Sequence, residues 1–306
     1  MSQLEPVAGN KRRFRDEGRS PGLIIAEVGT MLLFLLFMVP FLLVLLNSAK
    51  TAKEIIFSPV SWPQNWGQLG ENITAIFNNP STDYLGAFVD SVIITVASLA
   101  VIALFSAMCA WALVRNRKGW STAIFMAFVS AMVIPFQVVM FPLVKWFKIM
   151  GDAIGFPLLG TYHGIVFAYL GFGCSMSIFI LHGFIKSIPM ELEEAATIDG
   201  CSQVRTFFEI VIPLLQPTFI TVLILNGIWI WNDYLLPLLI LGSAGEVQTI
   251  PLAVTAFAGS YLKQWDLILT SALLAMIPII VLFLFAQRYP FYHNGKTLVL
   301  RLDRAG

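Results

Sequence analysis

Residues 24–47 read IIAEVGTMLLFLLFMVPFLLVLLN, an apolar run broken by a single carboxylate. A helix rises 1.5 Å per residue, so about 20 such residues cross the roughly 30 Å hydrocarbon layer of a bilayer. Comparable runs follow at 87–114, 121–144, 160–184, 214–241 and 265–287. In lipid every backbone polar group needs an internal partner, which an α-helix supplies along its own length. A buried soluble core is the competing reading. It fails because only 12% of the residues are charged, against about 25% in soluble domains, too few to cover such a core. The expectation is an all-α, polytopic membrane protein of about six transmembrane helices. The transmembrane domain covers 24–287, between tails at 1–23 and 288–306. The first run exceeds the 7–15 residue core of a signal peptide, so it reads as a retained span.

The cations orient the chain. Lys11, Arg12, Arg13, Arg15 and Arg19 precede the first span, and Arg115, Arg117 and Lys118 fill the second–third connection. Lys186 and Arg205 lie in the fourth–fifth connection, and Arg288, Lys296, Arg301 and Arg304 follow the last span. Of the 19 Lys and Arg, only Lys50, Lys53, Lys145, Lys148 and Lys263 fall on the other side. The positive-inside rule therefore places both termini in the cytoplasm.

Against this background the fourth–fifth connection stands out. Residues 187–217 read SIPMELEEAATIDGCSQVRTFFEIVIPLLQP. Ser187 is a candidate helix cap, Pro189 suits a first turn, and Glu191, Glu193 and Glu194 suit the positive end of a helix. Gly200 is a natural stop, since glycine tolerates the left-handed conformation found there. A second short helix is expected from about Ser202, with Val204, Phe207, Phe208 and Val211 spaced to share one face. Pro213 and Pro217 mark the entry to the next span. On the first helix Ala195 and Ala196 leave room for another backbone to approach. From the residues alone, an ordinary amphipathic connector fits about as well as a docking element.

The same stretch resembles the EAA loop of permease subunits in binding-protein-dependent ABC importers. Glu194, Ala195, Ala196, Asp199, Gly200, Ile210 and Pro213 match that pattern in type and spacing. The resemblance extends over about residues 20–290 and is strongest to the carbohydrate branch, in particular the smaller-loop permease of the maltose system. MVIPFQVVMFPL at 132–143, with Pro135, Gln137 and Pro142, is similar to the third span of that branch. WNDYLLPL at 231–238 and IPIIVLFLFAQRY at 277–289 are similar to its fifth and last spans. Two departures stand out. The second span opens with Asp90–Ser91 where the family usually has Asn-Ser, and the tail HNGKTLVLRLDRAG replaces a small, glycine-rich ending.

The resemblance implies a coupling helix over about 187–213. Glu191, Glu193, Glu194, Ala195, Ala196, Asp199 and Gly200 would meet a cytoplasmic ATPase. It implies a second homologous permease, two ATPase copies that bind the ATP and Mg, an extracytoplasmic solute-binding protein and a carbohydrate substrate, in the inner membrane of a bacterial cell. This chain itself would carry no cofactor.

The residues support that division of labour. NGKT at 294–297 lacks the glycine a phosphate-binding loop needs five positions earlier, where Pro290 stands. No nucleophile elbow or zinc-protease helix appears, so no enzyme is expected. Cys109, Cys174, Cys201, His163, His182 and His293 are scattered and suggest neither a disulfide framework nor a metal site. The net charge of +1 calls for no nucleic-acid partner.

Polar residues within spans are costly unless they face a cavity or a neighbouring helix. Asn226, Trp229, Trp231, Asn232 and Tyr234 gather in the fifth span, where rings and amides suit a sugar pathway. Interhelical hydrogen bonding is the competing explanation, and Asp233 fits a gate or structural role better than a ligand. Pro40, Pro135, Pro142, Pro237 and Pro278 interrupt the runs and are candidate flexing points. The loop at 49–86 is either a linker or part of an external docking surface.

The rivals fare worse. A secondary transporter calls for ionisable groups in the spans and an internal repeat; there are few of the former and no clear repeat. A membrane enzyme calls for a convergent nucleophile or metal set. An importer permease for another solute, such as a polyol, a glycerol phosphate or an acidic oligosaccharide, remains open on the sequence.

Overall fold

In the described residues the apolar runs become helices; Pro135 stands at a break between two of them, whereas Pro40, Pro142 and Pro278 lie inside continuous helices and do not interrupt them. The computed structural model describes residues 21–80, 82–116, 118–243, 245–259 and 263–286. The N-terminal cations, Arg117 and the tail with its NGKT stretch lie outside them. The helices are α1 (Pro21–Ser48), α2 (Ala52–Phe57), α3 (Gly67–Phe77), α4 (Tyr84–Arg115), α5 (Gly119–Ala131), α6 (Phe136–Ile154) and α7 (Tyr162–Ile185). After them come α8 (Glu191–Ile198), α9 (Gln203–Thr206), a π turn (Phe207–Val211) and α10 (Ile212–Leu214). The remainder are α11 (Gln216–Asn232), α12 (Leu235–Ile240), α13 (Ile250–Ala256) and α14 (Trp265–Ala286). Among the described residues all regular structure is helical.

Three of these, α1, α4 and α7, are long and apolar enough to cross a membrane unbroken, and α14 supplies a shorter apolar stretch over Trp265–Val281. The expected spans at 121–144 and 214–241 are not continuous. The first is split between α5 and α6, which bend by 106°. Pro135 is the residue before α6, and it has no N–H with which to continue α5. The second is bent by 76° where α10 meets α11, beside Pro213 and Pro217. It breaks again at Asp233, whose backbone is extended (φ −74°, ψ 129°). Counting each bent pair as one span gives five, to which α14 adds a sixth apolar helix.

The centre of the bundle is the α4–α7 pair. It packs closely because α4 turns Ser98, Ser106, Ala107 and Ala110 inward, while α7 contributes Gly173 and Ser177. Small residues of this kind let membrane helices approach where no hydrophobic force drives them together. One apolar cluster, with Ile102, Ile165, Tyr169 and Ile230, fills the half toward the start of α4. A second, with Ile178, Leu181, Ile185, Phe207 and Leu215, fills the half toward its end.

By contrast α1 lies at the margin. It packs on α14, and most of its length is exposed, as a lipid-facing helix would be. Only its last residues are buried. There Lys50 is fully enclosed, and its Nζ donates to Asn47 Oδ1 (3.1 Å), Ser58 O (2.9 Å) and Pro59 O (3.2 Å). Asn72 Nδ2 donates to Ser48 O and Lys50 O, and Thr270 Oγ1 donates to Ser48 O. A buried ammonium is tolerated when its protons are satisfied in this way. The 49–86 segment is thus more than a linker: α2 and α3 are held to the ends of α1 and α14.

Candidate functional site

The fourth–fifth connection forms two short helices joined at Gly200, as expected. Gly200 has φ +82°, its N–H donates to Thr197 O (3.1 Å), and Cys201 N donates to Ala196 O (2.9 Å). That pattern closes a helix through a left-handed residue. Ser202 Oγ accepts from Arg205 N (3.3 Å) and caps α9. Ser187 does not cap α8. Its Oγ turns back to donate to Phe184 O (2.7 Å), and the turn at 186–190 delays the helix to Glu191.

The face expected of the second helix is also divided. Phe207 and Val211 are buried, whereas Val204 and Phe208 are exposed. The cause is the π turn, whose wider winding aligns residues four apart and separates 204/208 from 207/211.

The acidic cluster splits in the same way. Glu191, Glu193 and Glu194 all sit in the first turn of α8, where the helix dipole favours carboxylates. Glu193 faces inward and is 8% exposed. Its Oε1 accepts from Arg115 Nε (2.8 Å) and Nη2 (2.7 Å), and its Oε2 accepts from Trp111 Nε1 (3.0 Å). Arg115 Nη2 also donates to Ile188 O (3.2 Å). Ala196 is buried beside it in sequence register, three residues on. Glu193 and Ala196 are therefore not on the surface expected to meet an ATPase.

The outer stripe is Glu191, Glu194, Ala195 and Ile198, at helical spacing, with Asp199 at its end. Ile198 is 86% exposed, an apolar group set among carboxylates. A cleft of about 830 Å³, lined by Arg115, Lys118, Glu194 and Gln203 among others, opens beside the contact between α8 and the end of α4. Trp111 and Arg115 were legible only as span and topology residues. Their partner lies some 80 positions away, and no local pattern announces it.

The fifth-span residues divide as well. Asn226 is fully buried, and its Nδ2 donates to Ser177 Oγ (2.9 Å) and Val222 O (2.9 Å). Trp231 is buried, donates from Nε1 to Ala275 O (3.0 Å) and meets Phe88 edge-on. Both join helices, so neither lines a surface that a solute could reach in this structure. Trp229, Asn232 and Tyr234 remain exposed. Trp229 packs edge-on against Tyr169 (5.4 Å between ring centres), whose hydroxyl donates to Asp233 Oδ2 (3.2 Å). Asp233 Oδ1 accepts from Leu235 N (3.0 Å), the first residue of α12, across the turn that ends α11.

At the opposite end of α4 from Arg115, the departure Asp90–Ser91 has a role. Asp90 Oδ1 accepts from the Tyr162 hydroxyl and Oδ2 from Gln248 N (2.9 Å), while Ser91 Oγ accepts from Ile250 N (2.8 Å).

The pattern of the family described as "Binding-protein-dependent transport system inner membrane component" matches residues 100–289, which include the whole α8–α11 loop and the fifth-span group. The chain belongs to this family.

Its relatives agree. The permease is 41% identical to the probable starch degradation products transport system permease protein AmyC of Thermoanaerobacterium thermosulfurigenes, over 84% of this chain and 90% of that one. It is 30% identical to the multiple sugar-binding transport system permease protein MsmG of Streptococcus mutans, over 83% and 89% of the two chains. In fold it resembles a bacterial ABC transporter involved in import of the acidic polysaccharide alginate, with a TM-score of 0.69 at 19% identity over 87% of this chain and 96% of that one. The protein is thus a multi-pass membrane permease, the non-catalytic membrane subunit of an ABC importer.

Proposed function

We propose that this permease moves a sugar or oligosaccharide across the inner membrane of a bacterial cell by alternating access, driven by a separate ATPase that docks on the outer stripe of α8. The observation that carries the reading is this stripe: Glu191, Glu194, Ala195 and Ile198 are exposed together on a helix whose other face, at Glu193, is held to the bundle. An exposed isoleucine ringed by carboxylates suits a groove on another protein better than it suits water. The sugar reading draws support from the names of the relatives at 41% and 30% identity.

In this reading a second, homologous permease completes the pathway. Two ATPase copies bind ATP and Mg, and an extracytoplasmic solute-binding protein delivers the substrate. Membrane lipid covers the exposed face of α1. Each nucleotide state shifts the permease toward the conformation it binds better. Trp229, Asn232 and Tyr234 are the pathway residues of this chain, their rings stacking on sugar faces and the amide meeting hydroxyls.

The test is a pull-down of the tagged chain from native membranes in mild detergent, beside a Glu194→Lys, Gly200→Pro double variant. Proline cannot adopt the positive φ of Gly200, and the lysine reverses a charge on the stripe. Wild type should bring down an ATPase and a second permease, and the variant only the permease. If wild type and variant both come down alone, the docking reading fails.

A further inference from the structure

We propose that α4 carries the movement of the coupling helix across the membrane, with Glu193, Arg115 and Trp111 as its inner contact and Asp90 and Ser91 as its outer one. The inference rests on the ATPase-docking reading of α8 and assigns that reading its positioning residues.

The inner contact is a clamp. The Glu193 carboxylate spends both oxygens on α4, one on the Arg115 guanidinium and one on the Trp111 indole. A carboxylate held in this way is not free to meet another protein, and the hydrogen bonds it accepts are charge-assisted and short. Arg115 also reaches Ile188 O in the turn that joins α7 to α8. Trp111 packs on Phe207 of the π turn, with 5.2 Å between ring centres. So the end of α4 holds the coupling loop on both sides of Gly200.

The outer contact is a second polar cluster on the same helix. Asp90 and Ser91 together accept the Gln248 and Ile250 amides and the Tyr162 hydroxyl. They tie α4 to the segment before α13 and to the first residue of α7. From Asp90 to Arg115 the helix runs about 38 Å at 1.5 Å per residue, and no proline interrupts it. The spans on either side of the α4–α7 pair are bent by 106° and 76°, so a push on them is absorbed at the break. α4 and α7 are unbroken, and α4 carries both the inner clamp and the outer carboxylate contact, so the push passes along it.

The test uses the intact complex with its ATPase, with and without ATP trapped by vanadate, and reads hydrogen exchange of residues 245–250. In wild type, trapping should change exchange of this segment by about five-fold or more, the lower end of ordinary coupling between sites. In Glu193→Gln the change should fall below about two-fold, with the ATPase still bound. Trp111→Phe keeps an aromatic ring beside Phe207 and loses the N–H donor together with part of the indole's bulk. It should lie between the two, and it carries the test if Glu193→Gln does not assemble. A wild-type nucleotide response in both variants overturns the inference, as does a purely thermal effect, where the melting temperature falls and the response stays. A wild-type complex that holds its ATPase but shows no change at 245–250 overturns the inference alone. A wild-type complex without any ATPase overturns the docking reading, and this inference falls with it.

Discussion

Gly173 of α7 exists to make room for Asn226 of α11. A Cβ on Gly173 would lie 2.8 Å from Asn226 Oδ1 and 2.7 Å from Ile102 Cδ1, so three helices meet at a point where only hydrogen fits. Gly173→Ala should therefore destabilise the permease. The obstructing atoms are ends of side chains, so the cost is that of mild overpacking, about 1–3 kcal/mol. Thermal unfolding of the purified protein in detergent measures it, and an unchanged midpoint would mean that the α4–α7–α11 contact is looser than described.

Asn226 and Trp229, three residues apart, should separate stability from transport. Asn226→Ala removes a bond to Val222 O within α11 and the interhelical bond to Ser177, and an interhelical bond of this kind contributes roughly 0.6–2 kcal/mol in membranes. Its apparent KM for sugar uptake into proteoliposomes should stay at the wild-type value. Trp229→Ala should leave the melting midpoint close to wild type and raise that KM by about ten-fold, the equivalent of 1.4 kcal/mol. A raised KM in Asn226→Ala with unchanged stability would return that residue to the pathway.

The same pair shows how far the sequence could be read. Hydrophobic run length reveals that the chain is helical and membrane-spanning, because those properties depend only on neighbours along the chain. The coupling loop was legible for the same reason. Its carboxylates, its Gly200 stop and its Ser202 cap act within a few residues of themselves. Direction of facing was not. Glu193 and Glu194 are adjacent and chemically alike, yet one is clamped by Arg115 and the other is free on the outer stripe. Asn226, read as a pathway residue, turns toward Ser177 because Gly173 gives it space there. Such choices are made by residues far apart in the chain, and a single sequence holds no local signal for them. The break at 132–135 is half legible: Pro135 marks an interruption, but nothing local sets the 106° bend.

Asp90→Asn tests why a carboxylate stands at the head of α4. Both Asp90 oxygens accept, one from a hydroxyl and one from a backbone N–H. An amide has a single acceptor oxygen and would point its NH₂ at one of these donors. Losing one partly buried acceptor costs about 1 kcal/mol, at the low end of the range for an unsatisfied group. Faster amide exchange at Gln248 in the variant, with Ile250 still protected by Ser91, is the expected signature. Equal protection at both amides would contradict it.

Gly164 and Gly171 lie two turns apart on α7 and should respond oppositely to the same change. A Cβ on Gly164 would fall 1.7 Å from the carbonyl oxygen of Leu158, a backbone atom that cannot swing aside as a side chain does. The first turn of α7 would have to move, and with it the cap in which Thr161 Oγ1 accepts from Gly164 N. Gly164→Ala should therefore exceed the 4–5 kcal/mol that marks exceptional substitutions, and little folded protein should survive solubilisation. A Cβ on Gly171 meets nothing within 4 Å. Gly171→Ala should keep or raise stability, since alanine is favoured over glycine inside a helix by up to about 1 kcal/mol. Size-exclusion profiles and melting midpoints of the two variants, side by side, decide it. If both behave alike, α7 responds to composition and not to the contact at Leu158. If only Gly164→Ala collapses, the carbonyl of Leu158 sets where α7 begins, and through the α7–α8 turn where the coupling helix is hung.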